Sequence, residues 1–579
     1  MDLRKLTSKL TVSPQITIDD VNALASDNFK TIICNRPDNE SEDQANAQQI
    51  ENAAEAHGMA FYYLPVVPGE ISDRQISQFA KIIQDCDGPT LAYCRTGTRS
   101  SSLWALAESE HQPTSELLAT ASAAGYDLSS LAPRMQARSA NAELTKKSNG
   151  RRTAHHKVVV VGGGAAGLAV TASLLKRQSN LDIAIVDSAT SHFYQPGWTL
   201  VGGGVFKPKQ TERSMASVVP ARAKWYQNNA VTFKPEHNRL LLDNDEELSY
   251  DVLVIATGLS LNWEAIPGLS ETLGKNGVTS NYRYDLAPYT WQLVQSLGKG
   301  TAIFTQPPMP IKCAGAPQKA MYLSCDEWQR QGKLSDINVE FCTAGAALFG
   351  VSDYVPALTN YVEKYGIKLN FKNTLKSVNG EAKTAQFVVV DANGTEREVT
   401  RSFDMLHVCP PQCAPKIIAD SPLSDDSGWV DVNSESLQHK TYSNVYALGD
   451  VANTPNAKTA AAVRKQAPVV AENIVSTLNE ESPCAVYEGY GSCPLTVERG
   501  KIVLAEFGYG GVLQPTFPSW LINGKRATSA AWFLKDKLLP WLYWEAMLKG
   551  REWLASPKHS KPSETNNTKR DVCDFQEKP

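Results

Sequence analysis

Residues 157–177 read KVVVVGGGAAGLAVTASLLKR, and the way the two halves of this stretch meet decides the fold. Val158 to Val161 form an uninterrupted β-branched run, the pattern of a parallel strand buried on both faces. The strand runs into Gly162-Gly163-Gly164-Ala165-Ala166-Gly167, a G-x-G-x-x-G, and then into a helix. Gly162 permits the tight turn, Gly164 admits a pyrophosphate against the backbone, and Gly167 lets helix and strand pack closely. A second apolar run, 181–186, ends in Asp187, where an acid can accept a hydrogen bond from a ribose hydroxyl. The first unit after residue 157 is therefore α/β and binds a dinucleotide, either FAD or NAD.

Two later segments favour FAD. Residues 251–258 (DVLVIATG) are a strand closing in Thr257-Gly258, and residues 445–450 (VYALGD) are a strand ending in Asp450. Both resemble segments of two-domain flavoprotein disulfide reductases, a resemblance that assigns Asp450 to the ribityl chain. A helix expected from about Lys458 would aim its positive end at the flavin. A second nucleotide site is not legible. Strand 301–305 (TAIFT) is followed by QPPMP, which has no glycine and few N–H groups to offer a phosphate. Residues 339–350 (VEFCTAGAALFG) also lack the fingerprint. This disfavours NAD(P)H as reductant, and with it an NADH:quinone reductase.

The whole chain has 579 residues, a prior for roughly three or four domains, with the 42% apolar and 20% charged content of globular proteins. A net charge of −4 provides no field for nucleic acid. Residues 1–14 show no signal peptide pattern, and no apolar run reaches the roughly 20 residues that cross a bilayer. The expectation is a peripheral protein on the cytoplasmic side of a bacterial inner membrane. Eleven cysteines are scattered without a CxxC, which argues against a disulfide framework, a zinc knuckle or any other metal site as the default.

Residues 192–204 (HFYQPGWTLVGGG), 310–324 (PIKCAGAPQKAMYLS), 346–351 (AALFGV), 428–432 (GWVDV), 444–450 (NVYALGD), 458–463 (KTAAAV) and 490–495 (YGSCPL) closely resemble sulfide:quinone oxidoreductases of the mitochondrial type. The resemblance spans about 157–554. It implies two Rossmann-like domains, with FAD-binding parts at about 157–265 and 400–485 and a second domain at about 266–399. It also implies a C-terminal membrane and quinone region at about 486–554. Its cysteine pair corresponds to Cys313, in KCAGAP, and Cys493, in SCPL. Cys313 is implied to face the flavin and Cys493 to carry the first persulfide from hydrogen sulfide, with a membrane quinone as electron acceptor and a thiol or sulfite-type sulfur acceptor. Two sulfurs suit this chemistry, because hydrosulfide attacks a disulfide to leave a persulfide on one sulfur and a thiolate on the other. Cys413, in PPQCAP, is a candidate sulfur relay or simply a packed thiol. Residues 532–553 (WFLKDKLLPWLYWEAMLKGREW) mix Trp, Leu and Phe with Lys and Arg, as in an interfacial segment or a core helix pair.

Residues 1–136 read as a separate small α/β unit, joined by a polar linker at 137–156; residues 555–579 read as a tail. Cys94-Arg95-Thr96-Gly97-Thr98-Arg99 follows the apolar run 90–93 and opens a helix. Loop N–H groups, the helix dipole and Arg99 converge there on an anion. With NRPD at 35–38, the unit resembles the phosphatase-like family fused to β-lactamase-type and sulfide-oxidising proteins. Four residues separate Cys94 from Arg99, as in the rhodanese loop, whereas tyrosine phosphatases have five; Tyr93 stands where phosphatases have His. Sulfane-sulfur transfer, phosphatase activity with Asp38 as acid, and a structural or regulatory role remain open at this point.

Overall fold

The computed structural model describes residues 1–41, 44–67, 71–145 and 153–559. Its N-terminal unit is a five-stranded sheet ordered Arg4–Lys5, Leu10–Ser13, Thr90–Tyr93, Thr31–Cys34, Ala60–Tyr63. Thr90–Tyr93 is central and parallel to both neighbours. Cys94 therefore sits at the carboxyl end of the middle strand, where open α/β sheets place ligands. Helices Ala47–Ala56 and Asp73–Asp85 fall in stretches 42–57 and 73–84, whose sequence has helical character. The edge strand Ala60–Tyr63 is mostly exposed although its sequence, AFYY, is apolar and aromatic.

The polar stretch at 137–156 is shorter as a connector than its composition implies. Helix Ala132–Thr145 enters it, and strand Thr153–Val161 begins inside it. Polar residues at the start of that strand are held by pairing with Glu247–Ile255 over its full length, so backbone hydrogen bonds override composition.

The dinucleotide-binding sheet runs Lys224–Tyr226, Ile183–Val186, Thr153–Val161, Glu247–Ile255, Arg239–Leu242, Ala230–Lys234, with Val445–Ala447 pairing Glu247–Ile255 in parallel. Val158, Val159 and Val160 are fully buried in its core. The return of Val445–Ala447 to this sheet carries Asp450 back to the glycine loop. The second domain is a parallel sheet ordered Val278–Thr279, Met405–His407, Gly300–Gln306, Ile337–Thr343, Lys368–Phe371. Helix Ala316–Arg330 follows Gly300–Gln306, and the antiparallel strand Gly491–Glu498 lies upon it through Ala320, Met321, Cys493 and Leu495. That packing joins two segments separated by 180 residues.

The expected interfacial segment is four helical pieces: Ser529–Phe533, a π-helical turn Leu534–Leu538, Leu539–Glu545 and a short turn Met547–Lys549. The chain remains paired beyond 555, where Lys558–His559 joins Ala485–Val486; the rest of the expected tail lies outside the described residues. Among the described residues no helix is long and apolar enough to cross a membrane.

Candidate active site

At the dinucleotide end, a Cβ on Gly167 would lie 1.8 Å from the Gly162 carbonyl oxygen, so only glycine permits this helix–strand approach. Gly164 opens on empty space, and Ala165 and Ala166 begin the helix Ala165–Arg177. Asp187 is already engaged: its carboxylate accepts from Gly163 N–H at 2.5 Å and Ala189 N–H at 2.8 Å. Burial nevertheless pushes its carboxyl above the ordinary range. Thr257 lies two residues past the strand Glu247–Ile255, with a buried hydroxyl that has no protein partner, beside Gly258 at φ +70°. Asp450 is half-buried; desolvation pushes its carboxyl up, against the pull of Lys312 and Lys458. Lys458 precedes the helix, which runs Ala460–Leu478 behind a Thr459 cap. Its ammonium donates to the carbonyls of Asp450 and Ala452 at 2.7 and 2.9 Å and stands 4.1 Å from the Trp429 ring. Lys458 thus braces the Asp450 turn.

The loop that follows Gly300–Gln306 holds Pro307, Pro308 and Pro310, then Cys313, before helix Ala316–Arg330. This is the strand–loop–helix crossing at which a second dinucleotide fingerprint would sit, and the cysteine occupies it instead. The loop is stapled to the Asp450 side by Cys313 N–H donating to the Lys458 carbonyl at 2.9 Å. Cys313 has φ +51°, an uncommon backbone state for a residue with a Cβ. Its Sγ lies 3.6 Å from Cys493 Sγ, a contact between two thiols rather than a bond. Gly315 makes room, because a Cβ there would meet Cys493 Sγ at 2.6 Å.

Two buried lysines converge on this pair, and neither stood out in the sequence. Lys319 donates to Cys313 Sγ at 2.9 Å from the first turn of helix Ala316–Arg330. Lys535, on the π turn, is 3% exposed, and burial with Lys319 nearby pushes its ammonium down to about 7. The hydrogen bond from Cys493 and the charge of Lys319 hold the Cys313 thiol well below its ordinary range, against burial. The Cys493 thiol is pushed up by Cys313 and by burial. The site thus favours a thiolate at Cys313 and a protonated Cys493. Lys319 is an i+6 lysine on a face otherwise made of Ala316, Ala320 and Leu323, a signal legible in principle. Lys535 has none, because the π turn that places it inside is a tertiary feature.

Cys413 is exposed, opposite Ser260. The thiol that packs against the Cys313 loop is Cys409, with Tyr282, Ile311 and Ala316. The C-terminal segment also reaches the glycine loop. His192 Nδ1–H donates to the Gly163 carbonyl at 3.3 Å, its Nε2 accepts from Tyr543 Oη at 2.7 Å, and burial holds the ring neutral with a pKa of about 4.

In the N-terminal unit Gly97 N–H donates to Cys94 Sγ at 3.1 Å. Arg99 is clamped by both oxygens of Glu40, at 2.7 and 2.8 Å. Asp38 accepts from Ala47 N–H at 2.8 Å and so caps a helix.

Residues 2–111 match the family model of the beta-lactamase hydrolase-like protein, phosphatase-like domain, and 156–292 that of pyridine nucleotide-disulphide oxidoreductase. The mitochondrial sulfide:quinone oxidoreductase of Dictyostelium discoideum is 41% identical over 394 residues, covering 66% of this chain and 84% of that protein. The chain belongs to the sulfide:quinone oxidoreductase family. The fold agrees with the sulfide:quinone oxidoreductase structure from Aquifex aeolicus, at TM-score 0.55 and 20% identity over 67% of this chain and 91% of that one. The N-terminal unit is an addition to the family fold. It is similar to the beta-lactamase hydrolase-like protein of Agrobacterium fabrum, 35% identical over 104 residues, 18% of this chain and about a quarter (24%) of that protein. As a member of the sulfide:quinone oxidoreductase family the chain is an FAD-dependent oxidoreductase. Its residues fit that cofactor: an open glycine loop, an unpartnered Thr257 hydroxyl and a half-buried, cation-flanked Asp450 can each meet a polar ligand.

Proposed function

We propose that Cys313 and Cys493 oxidise hydrosulfide to sulfane sulfur and that the electrons leave through FAD to a membrane quinone. The observation that carries this reading is the pair itself: two thiols 3.6 Å apart, one under a buried ammonium. In the oxidised pair, hydrosulfide forms a bond to Cys493 Sγ as the Cys493–Cys313 bond breaks. The bonding electron pair leaves on Cys313, where Lys319 stabilises the charge. FAD, when bound, supplies the two-electron acceptor. A small thiol or sulfite-type anion then removes the outer sulfur from Cys493. Gly162, Gly164, Ala165, Ala166, Gly167, Asp187, Thr257, Gly258 and Asp450 hold FAD in this reading, with Lys458 fixing the Asp450 turn. The test is anaerobic: sulfide is expected to bleach the flavin and raise a long-wavelength charge-transfer band, with NADH inert. Bleaching by NADH and not by sulfide overturns the reading.

We place the protein peripherally on the cytoplasmic side of a bacterial inner membrane; what supports membrane attachment itself is the outer face of the C-terminal segment. Trp520 is 83% exposed, and Phe533, Trp541 and Leu554 are also exposed, while Lys535 and Tyr543 face inward. Quinone reaching the flavin from the bilayer would enter beside this segment. Replacing Phe533 and Trp541 together by glutamate is expected to lower co-flotation with anionic phospholipid vesicles by about 10-fold or more. Unchanged flotation of FAD-loaded variant removes the membrane assignment.

Cys94 and Arg99 are assigned to sulfane-sulfur transfer downstream of the pair. The phosphatase-like family match favours a Cys-dependent phosphatase as the second reading.

A further inference from the structure

A group of metal-type donors stands outside the machinery described above. Glu472, Cys484 and His559 offer a carboxylate oxygen, a sulfur and an imidazole nitrogen, and these three atoms lie within 4.8 Å of one another. Three separate segments bring them together. Glu472 lies on helix Ala460–Leu478. The next residue on that helix, Asn473, is fully buried. Its side chain donates to the Ala485 carbonyl and accepts from the Ala485 N–H, each at 2.9 Å. This double clamp fixes the backbone beside Cys484. Strand Ala485–Val486 pairs antiparallel with Lys558–His559, with Ala485 opposite His559, and so delivers the imidazole. Arg177 donates to Glu472 Oε2 at 3.4 Å, while Glu472 Oε1 meets His559 Nε2. The neighbouring cations have carboxylates of their own: Arg177 is paired with Glu552, and Lys558 with Glu488 at 2.7 Å. No spacing motif links the three donors, so only strand pairing reveals the group.

We propose that Glu472, Cys484 and His559 bind a zinc-class divalent cation, with water in the fourth position, and that the ion clasps the C-terminal strand to helix Ala460–Leu478. The donor set points to the ion. One thiolate, one imidazole and one carboxylate suit zinc, whereas magnesium and calcium take several oxygens. Charge matches as well. The carboxylate and the thiolate together cancel a doubly charged cation, and a neutral imidazole adds nothing. As the sulfur–metal bond forms, the Cys484 proton leaves to solvent; no oxidation or reduction is involved. Tetrahedral zinc spaces its donors about 3.3 to 3.8 Å apart, and side-chain rotation, chiefly of the exposed His559, closes the present spread. Arg177 on one oxygen of Glu472 orients the other towards the ion, as outer-shell partners do. The clasp joins two elements of consequence. Lys558–His559 closely follows the segment 529–553, and helix Ala460–Leu478 begins beside Lys458, which braces the Asp450 turn.

The experiment titrates the full-length, FAD-loaded protein anaerobically with Zn²⁺ alone, and with Co²⁺ as its spectroscopic stand-in. Wild type is expected to bind about one equivalent more than Cys484→Ser or His559→Ala, each variant weakening that equivalent by about 100-fold or more. Bound Co²⁺ should show tetrahedral ligand-field bands and a thiolate charge-transfer band, the latter lost in Cys484→Ser. Sulfide-driven flavin bleaching, measured without added metal, should be unchanged in both variants, which separates this site from the Cys313–Cys493 pair. Zn²⁺ should also slow proteolysis beyond Trp553 by about 10-fold in wild type and not in His559→Ala. His559→Ala alters an exposed side chain and, with Glu472→Gln, serves if Cys484→Ser fails to fold. No Zn²⁺ bound by wild type, or equal binding by wild type and variants, overturns the site and leaves a Glu472–His559 ion pair. Loss of the equivalent in only one of the variants overturns the three-donor cluster.

Discussion

Cys313→Ser is expected to slow sulfide-driven flavin reduction by on the order of 10³-fold or more while FAD stays bound. The seryl oxygen keeps the size of the loop, so the left-handed backbone at 313 and its bond to the Lys458 carbonyl survive. What disappears is the sulfur that accepts the electron pair when the bridge opens. Cys493→Ser removes the sulfur that hydrosulfide attacks, and the same magnitude is expected for it. Two signatures separate the variants. The charge-transfer band requires a thiolate beside the flavin, so it should vanish in Cys313→Ser. It should persist in Cys493→Ser, whose Cys313 thiol still has Lys319 at 2.9 Å. Stopped-flow absorbance under anaerobic sulfide reads both. Turnover near the wild-type rate in either variant would remove the pair from the chemistry, and the reverse assignment of the band would exchange the two roles.

Lys319→Met is expected to move the acid limb of the flavin-reduction profile to higher pH by about one to three pH units, with a loss of roughly 10-fold or more at neutral pH. The sign follows from which form reacts. Lys319 favours the thiolate of Cys313, so its charge lowers the pH at which that thiolate appears. Without the charge, burial dominates, and a higher pH is needed for the same thiolate fraction. Lys535 opposes part of the loss. Lys319 is one of the groups that push Lys535 down to about 7, so removing Lys319 makes the Lys535 ammonium easier to keep. The double variant should therefore lose more than Lys319→Met alone, and Lys319→Arg should keep most of the profile. A pH titration of the charge-transfer band checks this directly, because it reads the thiolate rather than turnover. An unmoved band titration would mean that Lys319 only packs the helix.

The cysteine pair illustrates how a short motif outruns its own local signal. KCAGAP and SCPL mark Cys313 and Cys493 only through resemblance; nothing local distinguishes them from buried packing thiols such as Cys325 or Cys342. Cys413 is a relay candidate because it follows a strand expected to approach the flavin, yet its side chain is exposed, and the thiol against the Cys313 loop is Cys409. Strand pairing explains the difference. The segment turns outward between these residues, and Cys413 pairs with Ser260 at a two-stranded edge. The same limit applied to His559, which reaches Glu472 and Cys484 only through strand pairing.

The sequence by itself determined the α/β class, the dinucleotide loop at Gly162 to Gly167, the proline-filled loop where a second fingerprint would sit, and the separate N-terminal unit carrying Cys94. These are local patterns, in which period, glycine spacing and missing N–H groups act over a few residues. Tertiary structure alone decided the 3.6 Å meeting of Cys313 and Cys493, the ammonium of Lys319 on one sulfur, and the arrival of Lys535 from the C-terminal π turn. Charge interaction in a buried site depends on distance through space, and distance along the chain carries almost no information about it.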